Sequence, residues 1–209
     1  MIRVGLTGGV ASGKSTVAAL LVERGAVLID ADALAREVVA AGTPGHAAVV
    51  EAFGEDLVGP DGELDRPALG RLVFGDEQAR RRLEGIIHPL VFERMAQLEQ
   101  DAPADAVVVH DIPLLAERGP GGTDDFDAVV VVDAPEDLQV QRMTADRGWT
   151  DEDARSRIAA QASREDRLAV ATHVVTNTGT LEELRSRVQK VFAEIETTAI
   201  TETTGANGS

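Results

Sequence analysis

The chain has 209 residues, with 20 Lys and Arg against 36 Asp and Glu, a formal net charge of −16 and no cysteine. The missing cysteines exclude a disulfide scaffold and a Cys-ligated zinc or iron–sulfur centre, and the acidic balance argues against a protein that works by neutralising phosphates along a nucleic acid. At 44% hydrophobic and 27% charged residues the composition is that of a soluble globular protein, and no apolar run approaches the ~20 residues of a membrane span.

The chain opens on an apolar run at residues 2–6 with no h-region or cleavage site before it, so no secretory signal is expected and the cytosol is the default location. A Gly-rich turn follows, then residues 15–23, where Val17, Leu20 and Leu21 recur with helical spacing. Gly25 suits the end of that helix, and Val27-Leu28-Ile29 is a second short strand. Strand, helix and strand in this span make one βαβ unit, which forces a parallel pair and an α/β sheet. Residues 33–103 then carry helical stretches but no strand signal, interrupted by Gly42-Thr43-Pro44-Gly45 and Gly59-Pro60-Asp61-Gly62. That is far longer than a crossover needs, and it predicts an inserted helical lobe. His88-Pro89 predicts a break within the last of these helices, because proline lacks an N–H and disfavours the α conformation before it.

Residues 106–109 and 128–132 are continuous Val-rich runs followed by Asp111 and Asp133, as strands covered on both faces should be. Residues 135–168 form a second insertion with six arginines on two helices, the second capped by Thr150 with Asp153. A weaker fifth strand at 173–176 precedes a closing helix, signalled by the capping box of Thr180 and Glu183. Residues 197–209 lack periodicity and are expected to be a disordered tail. The organisation is one domain over residues 1–196: a core of 1–32, 104–134 and 169–196, a lobe at 33–103 and a lid at 135–168.

Gly8-Gly9-Val10-Ala11-Ser12-Gly13-Lys14-Ser15 matches GxxxxGK[ST] between a strand and a helix, where the chemistry requires it. Glycines let successive amides approach a phosphate with no Cβ in the way, at the positive end of a helix. Gly9, Val10, Ala11, Ser12, Gly13, Lys14, Ser15 and Thr16 are therefore candidate ATP-binding residues. Lys14 would meet the β and γ oxygens, and the Ser15 hydroxyl would be a ligand of Mg²⁺. Of the 20 basic residues only Lys14 and Lys190 are lysines, and one of them stands at the position the motif demands.

Such a loop serves GTPases, motor ATPases and small-molecule kinases. The guanine-reading NKxD segment is missing, since Thr176-Asn177-Thr178-Gly179 lacks both the Lys and the Asp. Asp111 and Asp133 compete for the metal-linked aspartate of a motor ATPase. A kinase needs a phosphate loop, a lobe for the acceptor and an Arg-bearing flap that excludes water, and the two insertions supply the latter two. Kinase is the favoured class; a non-catalytic ATP-sensing regulator is the alternative of a different kind. Asp32, just after the second strand at the carboxyl edge of the sheet, fits two roles: a base for the attacking hydroxyl or the N-cap of the helix that follows. The arginines of the second insertion fit either a phosphate-binding flap or a solvated face. A transition-metal site has little support, with no Cys and no second His at ligand spacing.

Taken together, the motifs resemble the dephospho-coenzyme A kinase family. The matched segments are residues 5–16, Ile29-Asp30-Ala31-Asp32 with Ala35-Arg36, Gly42-Thr43-Pro44-Gly45 with Phe53-Gly54, and Ile87-His88-Pro89. They continue with residues 111–117, then Gln141-Arg142 with Arg147, Arg157-Ile158 with Gln161, and Asn177 with Gly179. The resemblance covers all but the tail. It implies a P-loop fold with a five-stranded parallel sheet flanked by helices, a helical lobe for the acceptor and a helical lid. It also implies ATP-dependent phosphorylation of the ribose 3′-hydroxyl of dephospho-coenzyme A, with Mg²⁺ on the phosphates. By position it assigns Asp32 as the base and Arg142 as the lid arginine that neutralises phosphate charge. Arg36, His88, Leu114, Leu115 and Glu117 fall to the acceptor, and Asn177 to the adenine side. Another small-molecule P-loop kinase is the nearest alternative. One departure from the pattern is Ala171-Thr172, where the family favours Ala-Asp.

Overall fold

Val-rich runs with no polar alternation have to be covered on both faces, and a parallel sheet between helix layers does this. In a computed structural model, which describes residues 1–119 and 121–205 except the side chains of 146, 147 and 199–205, they form five parallel strands in the order β2-β3-β1-β4-β5. These are β1 (Ile2–Gly8), β2 (Val27–Asp30), β3 (Val107–Asp111), β4 (Ala128–Asp133) and β5 (His173–Thr176). The register sets Leu6 opposite Asp111, Gly8 opposite Val132, and Asp133 opposite Thr176. The carboxyl end of the central strand is thereby flanked by the ends of β3 and β4.

The chain divides into two compact units, Met1–Leu28 with Ala102–Ser209, and Ile29–Asp101. The first is built on the sheet. Val4, Leu6, Val109 and Val130 are fully buried, against Val17, Leu20 and Leu21 of α1 (Lys14–Val22) and Leu184, Val188 and Phe192 of α9 (Leu181–Gly205). Each such side chain contributes roughly 1.5–3 kcal/mol by leaving water. The insertion after β4 holds three helices rather than the expected two: α6 (Glu136–Arg147), α7 (Asp151–Ala159) and α8 (Arg164–Ala169). The Ser163 hydroxyl accepts the Asp166 amide at 3.0 Å and starts α8, while Thr150 starts α7 in the same way at 3.1 Å, as its sequence predicts. The Thr180–Glu183 capping box also forms. Beyond it α9 is helical to Gly205, past the point where the sequence predicts order to end; Thr197 and Thr198 return their hydroxyls to the Ala193 and Glu194 carbonyls one turn back. Residues 206–209 of the expected tail lie outside the described residues.

The second unit contains α2 (Ala31–Glu37), α3 (Pro44–Phe53), α4 (Arg66–Phe74) and α5 (Glu77–Asp101). Their shared core is Val39, Val49, Leu57, Leu64 and Leu69. Arg94 ties α5 to α2 through Glu37 at 2.8 Å. No break occurs at His88-Pro89, because α5 runs through Pro89. The carbonyl that loses its donor there, and that must lean away from the pyrrolidine ring, belongs to Gly85. The N-cap of α2 is Asp30, whose carboxylate accepts the Ala33 amide at 2.9 Å, so Asp32 falls inside the first turn and the capping role considered for it belongs to its neighbour. Among the described residues no helix is long and apolar enough to cross a membrane.

The caps make a direct test. Asp30→Ala is expected to cost about 1 kcal/mol in urea unfolding, whereas Asp32→Ala, whose carboxylate bonds to no described residue, should stay within about 0.5 kcal/mol of the parent.

Candidate active site

Between β1 and α1 the backbone must turn back on itself within a few residues. The Ser12 amide donates to the Gly9 carbonyl at 3.0 Å, closing a four-residue turn. Its third residue, Ala11, has φ 55° and is the one non-glycine residue in the left-handed region among those described. Gly13, with φ 93°, leads into α1 without a side-chain cap. A Cβ on Gly13 would lie 2.1 Å from Asn177 Nδ2, and one on Gly9 2.5 Å from Gln139 Nε2, so neither glycine could carry a side chain without displacing its neighbour. Among the described residues no protein acceptor pairs with the amides of Gly13, Lys14 or Ser15. Unpaired donors collected at the positive end of a helix are what a phosphate binds.

Lys14 pairs through its Nζ with Asp111 Oδ1 at the end of β3, with the two side chains 16% and 8% exposed. Asp133, at the end of β4 on the other side of β1, instead takes a two-bond pairing from Arg164 at 2.8 and 2.7 Å. The two aspartates that compete in sequence are thus separated by structure: Asp111 sits with the phosphate loop's lysine, and Asp133 anchors α8. Those bonds from Arg164 hold the Asp133 carboxyl below the usual aspartate range, against the opposing effect of burial.

Arg142, on α6, donates to the carbonyls of Ala11 and Ser12, both at 3.1 Å, and to that of Asn177 at 2.9 Å. Asn177 is itself buried; its amide group donates to the Ser12 carbonyl at 2.7 Å and its backbone N–H to the Asp133 carbonyl at 2.8 Å. Arg142 and Asn177 together bind the loop to the segment after β5. Thr172, the departure from the family pattern, accepts the Val129 amide through its hydroxyl at 2.8 Å and so continues the pairing of β5 with β4. The insertion touches the loop twice more: Gln161 accepts the Val10 amide at 2.8 Å, and Val10 and Ala11 pack against Val140, Met143, Ala154 and Ile158. Gln161 stands in the sequence only as part of a family pattern, and Arg164 only as one of a cluster. Their partners lie far away along the chain, where no local signal reaches. The side chain of Arg147 lies outside the described residues.

The acceptor candidates separate. Leu114 is 53% exposed on the turn after β3, whereas Leu115, 1% exposed, packs over Gly5 in the core. Glu117 accepts the Ala162 amide at 2.9 Å and ties this turn to the α7–α8 connection. Within the helical unit, Asp32 and Arg36 lie one turn apart on α2, with Arg36 Nε donating to the Asp32 carbonyl at 3.0 Å. His88 is exposed on α5, its ring edge-on to Phe92 with centroids 6.3 Å apart. No hydrogen bond or ion pair joins His88 to Asp32 or Arg36 among the described residues.

A depressed carboxyl pKa gives a signed pH dependence. The stability that Asp133 contributes is complete above the ordinary aspartate range, near pH 4, and is lost as pH falls through the lower folded-state value. Asp133→Asn should therefore show a shallower acid limb than the parent in unfolding curves measured between pH 6 and about 3. Equal limbs would deny Asp133 that contribution.

A dephospho-CoA kinase family model matches residues 2–183. The dephospho-CoA kinase of Streptomyces avermitilis is 58% identical over 195 residues, covering 93% of this chain and 94% of that protein. Among solved structures, the dephospho-CoA kinase from Campylobacter jejuni aligns with a TM-score of 0.68 at 25% identity, over 94% of this chain and 98% of that one. The shikimate kinase from Acinetobacter baumannii, with a TM-score of 0.53 at 17% identity over 95% and 94% of the two chains, shares the fold. A loop that exposes its amides at the head of α1, a lysine paired with the aspartate of the neighbouring strand, and a match from residue 2 to residue 183 converge on one assignment: the chain belongs to the dephospho-CoA kinase family.

Proposed function

We infer that the protein transfers the γ-phosphoryl group of ATP to the ribose 3′-hydroxyl of dephospho-coenzyme A, giving coenzyme A and ADP. The observation that carries this reading is the phosphate loop, with the open amides of Gly13, Lys14 and Ser15 at the head of α1, in a chain of this family. Phosphoryl transfer demands placement and charge neutralisation more than covalent help, and the loop is suited to both. Its amides hold phosphate oxygens, and Lys14 exchanges the carboxylate of Asp111 for the β and γ oxygens. The donors suit Mg²⁺: the exposed Ser15 hydroxyl and the Asp111 carboxylate are hard oxygens, and this cation is commonly held by one or two such groups plus phosphates. When bound, Mg²⁺ would offset charge on the transferred group. Arg142 adds a fixed positive charge above the loop, and Gly9, Val10, Ala11, Ser12 and Thr16 complete the frame, with Asn177 on the adenine side.

Asp32 is assigned as the base that takes the proton of the 3′-hydroxyl. Support comes from α2, where Asp30 does the capping and leaves the Asp32 carboxylate exposed with no bond to a described residue. Arg36, His88, Leu114 and Glu117 are assigned to the acceptor, while Leu115 supports the turn from beneath. The reaction belongs in the cytosol, where both substrates are small soluble molecules and no nucleic acid or membrane is needed.

Incubation with ATP, Mg²⁺ and a panel of hydroxyl acceptors tests the assignment. Product is expected with dephospho-coenzyme A and at most traces with nucleoside monophosphates or sugars, whereas tight ATP binding with no transfer to any acceptor would make the chain a nucleotide sensor. Lys14→Ala should leave under a tenth of the parent's turnover with the fold unchanged by circular dichroism. For Asp32→Asn, kcat should collapse while the acceptor KM changes by less than about threefold, the pattern of an interaction made only in the transition state.

A further inference from the structure

The insertion of residues 135–168 reads in sequence as a flap over the transferred phosphoryl group, yet in the structure its side chains grip the phosphate loop itself. The grip coincides with backbone strain. Ala11 has φ 55° in the turn closed by Ser12 N and Gly9 O, a conformation in which the Cβ of an L-residue crowds the following carbonyl oxygen. Such a residue persists only where its surroundings over-determine it. Here the surroundings come from the insertion. The peptide between Gly9 and Val10 is pinned at both ends, its carbonyl accepting the Ser12 amide and its N–H donating to Gln161 Oε1 at 2.8 Å. The carbonyls after it, of Ala11 and Ser12, are held by Arg142, and the Val10 and Ala11 side chains rest on α6 and α7.

Among the described residues, the contact from Gln161 is the only one made by the insertion that engages an N–H of the loop. Donating outward to Gln161, the Val10 amide is withdrawn from phosphate binding, and with it the plane of the Gly9–Val10 peptide is fixed. Rotation of that plane would release the Ser12 amide and let Ala11 relax out of the left-handed region, and the amides that follow would lose their arrangement. We propose that Gln161 is a positioning residue: through its single hydrogen bond to the Val10 amide it holds the phosphate loop in its strained, anion-binding shape, so that ATP affinity depends on a side chain in the insertion that need not touch the nucleotide. The proposal rests on the ATP-binding role inferred above but not on the identity of the acceptor.

Titration calorimetry of the full chain with ATP and with ADP, without acceptor, separates the two. If the parent chain binds neither nucleotide, the functional reading fails and the proposal with it; if it binds both, the variants decide. Gln161→Leu keeps the side chain's bulk and removes the acceptor oxygen. Its affinity for ATP and ADP should fall together by about tenfold, with KM for ATP rising in step, kcat at saturation within about threefold and Tm within a few degrees. Adding Ala11→Gly in that background should recover a large part of the loss, because glycine takes a positive φ without penalty; a merely structural glutamine would not be rescued by removing a methyl from the α6–α7 contact. Nucleotide affinity within twofold of the parent in Gln161→Leu, a fall in kcat with KM unchanged, or no rescue by Ala11→Gly would each overturn the proposal. Should Gln161→Leu not fold, Gln161→Asn, which sets the acceptor back by one methylene, is measured instead. A partial loss of affinity on the same pattern is expected, and parent-like binding would overturn it.

Discussion

A short turn that must leave its amides open to an anion is the constraint on which the rest of this structure depends. Backbone donors used to hold a phosphate cannot also be spent on holding the turn, so the turn has to be held through its carbonyls, its side chains and one amide facing outward. That is the arrangement found: Arg142 and Asn177 take the carbonyls, apolar residues of α6 and α7 take the side chains, and Gln161 takes the Val10 amide. Each of these residues is supplied from more than 120 positions further along the chain, and the parallel sheet is what makes that possible. With β1 in the middle and β4 beside it, whatever follows β4 leaves the sheet next to the loop.

Two carboxylates at the ends of the strands flanking β1 show how placement gives similar groups different tasks. Asp111 has Lys14 as its partner, so in the inferred reaction its charge is bound up with a residue that turns to the phosphates, and ATP would exchange one anion for another at the lysine. Asp133 is committed to a two-bond arginine pairing that joins α8 to the sheet. Such a pair, with the carboxylate mostly buried, has desolvation to offset and is a device of geometry more than of stability. It ties the first turn of α8, which Ser163 caps, to the end of β4.

The same logic separates the residues assigned to the acceptor within each unit. On α2, Asp30 meets the geometric need of the helix end, and the Asp32 carboxylate is left exposed, as the inferred base would be. After β3 the adjacent leucines split, Leu115 filling space above Gly5 and Leu114 facing solvent. Neighbouring residues of the same type take opposite roles because successive side chains leave an irregular turn in different directions.

Much was legible beforehand, and the reason is local. Strand, loop and helix at the start of the chain, the Val-rich strands, the caps at Thr150 and Thr180, and the phosphate loop all rest on interactions within a few residues, which a linear reading captures. Proline at position 89 misled because the tolerance of α5 for it depends on where a carbonyl four residues away can go. Whether Asp30 or Asp32 caps α2 turned on the position of the first helical turn, a matter of one or two residues that side-chain type cannot decide. By itself the sequence determined a parallel α/β phosphate-binding core with two helical insertions, since periodicity and motif spacing are short-range properties. Only the tertiary structure decided which aspartate serves Lys14, which glutamine holds Val10 and which leucine faces outward, because those choices are made by distances between residues that the chain separates and the sheet brings together.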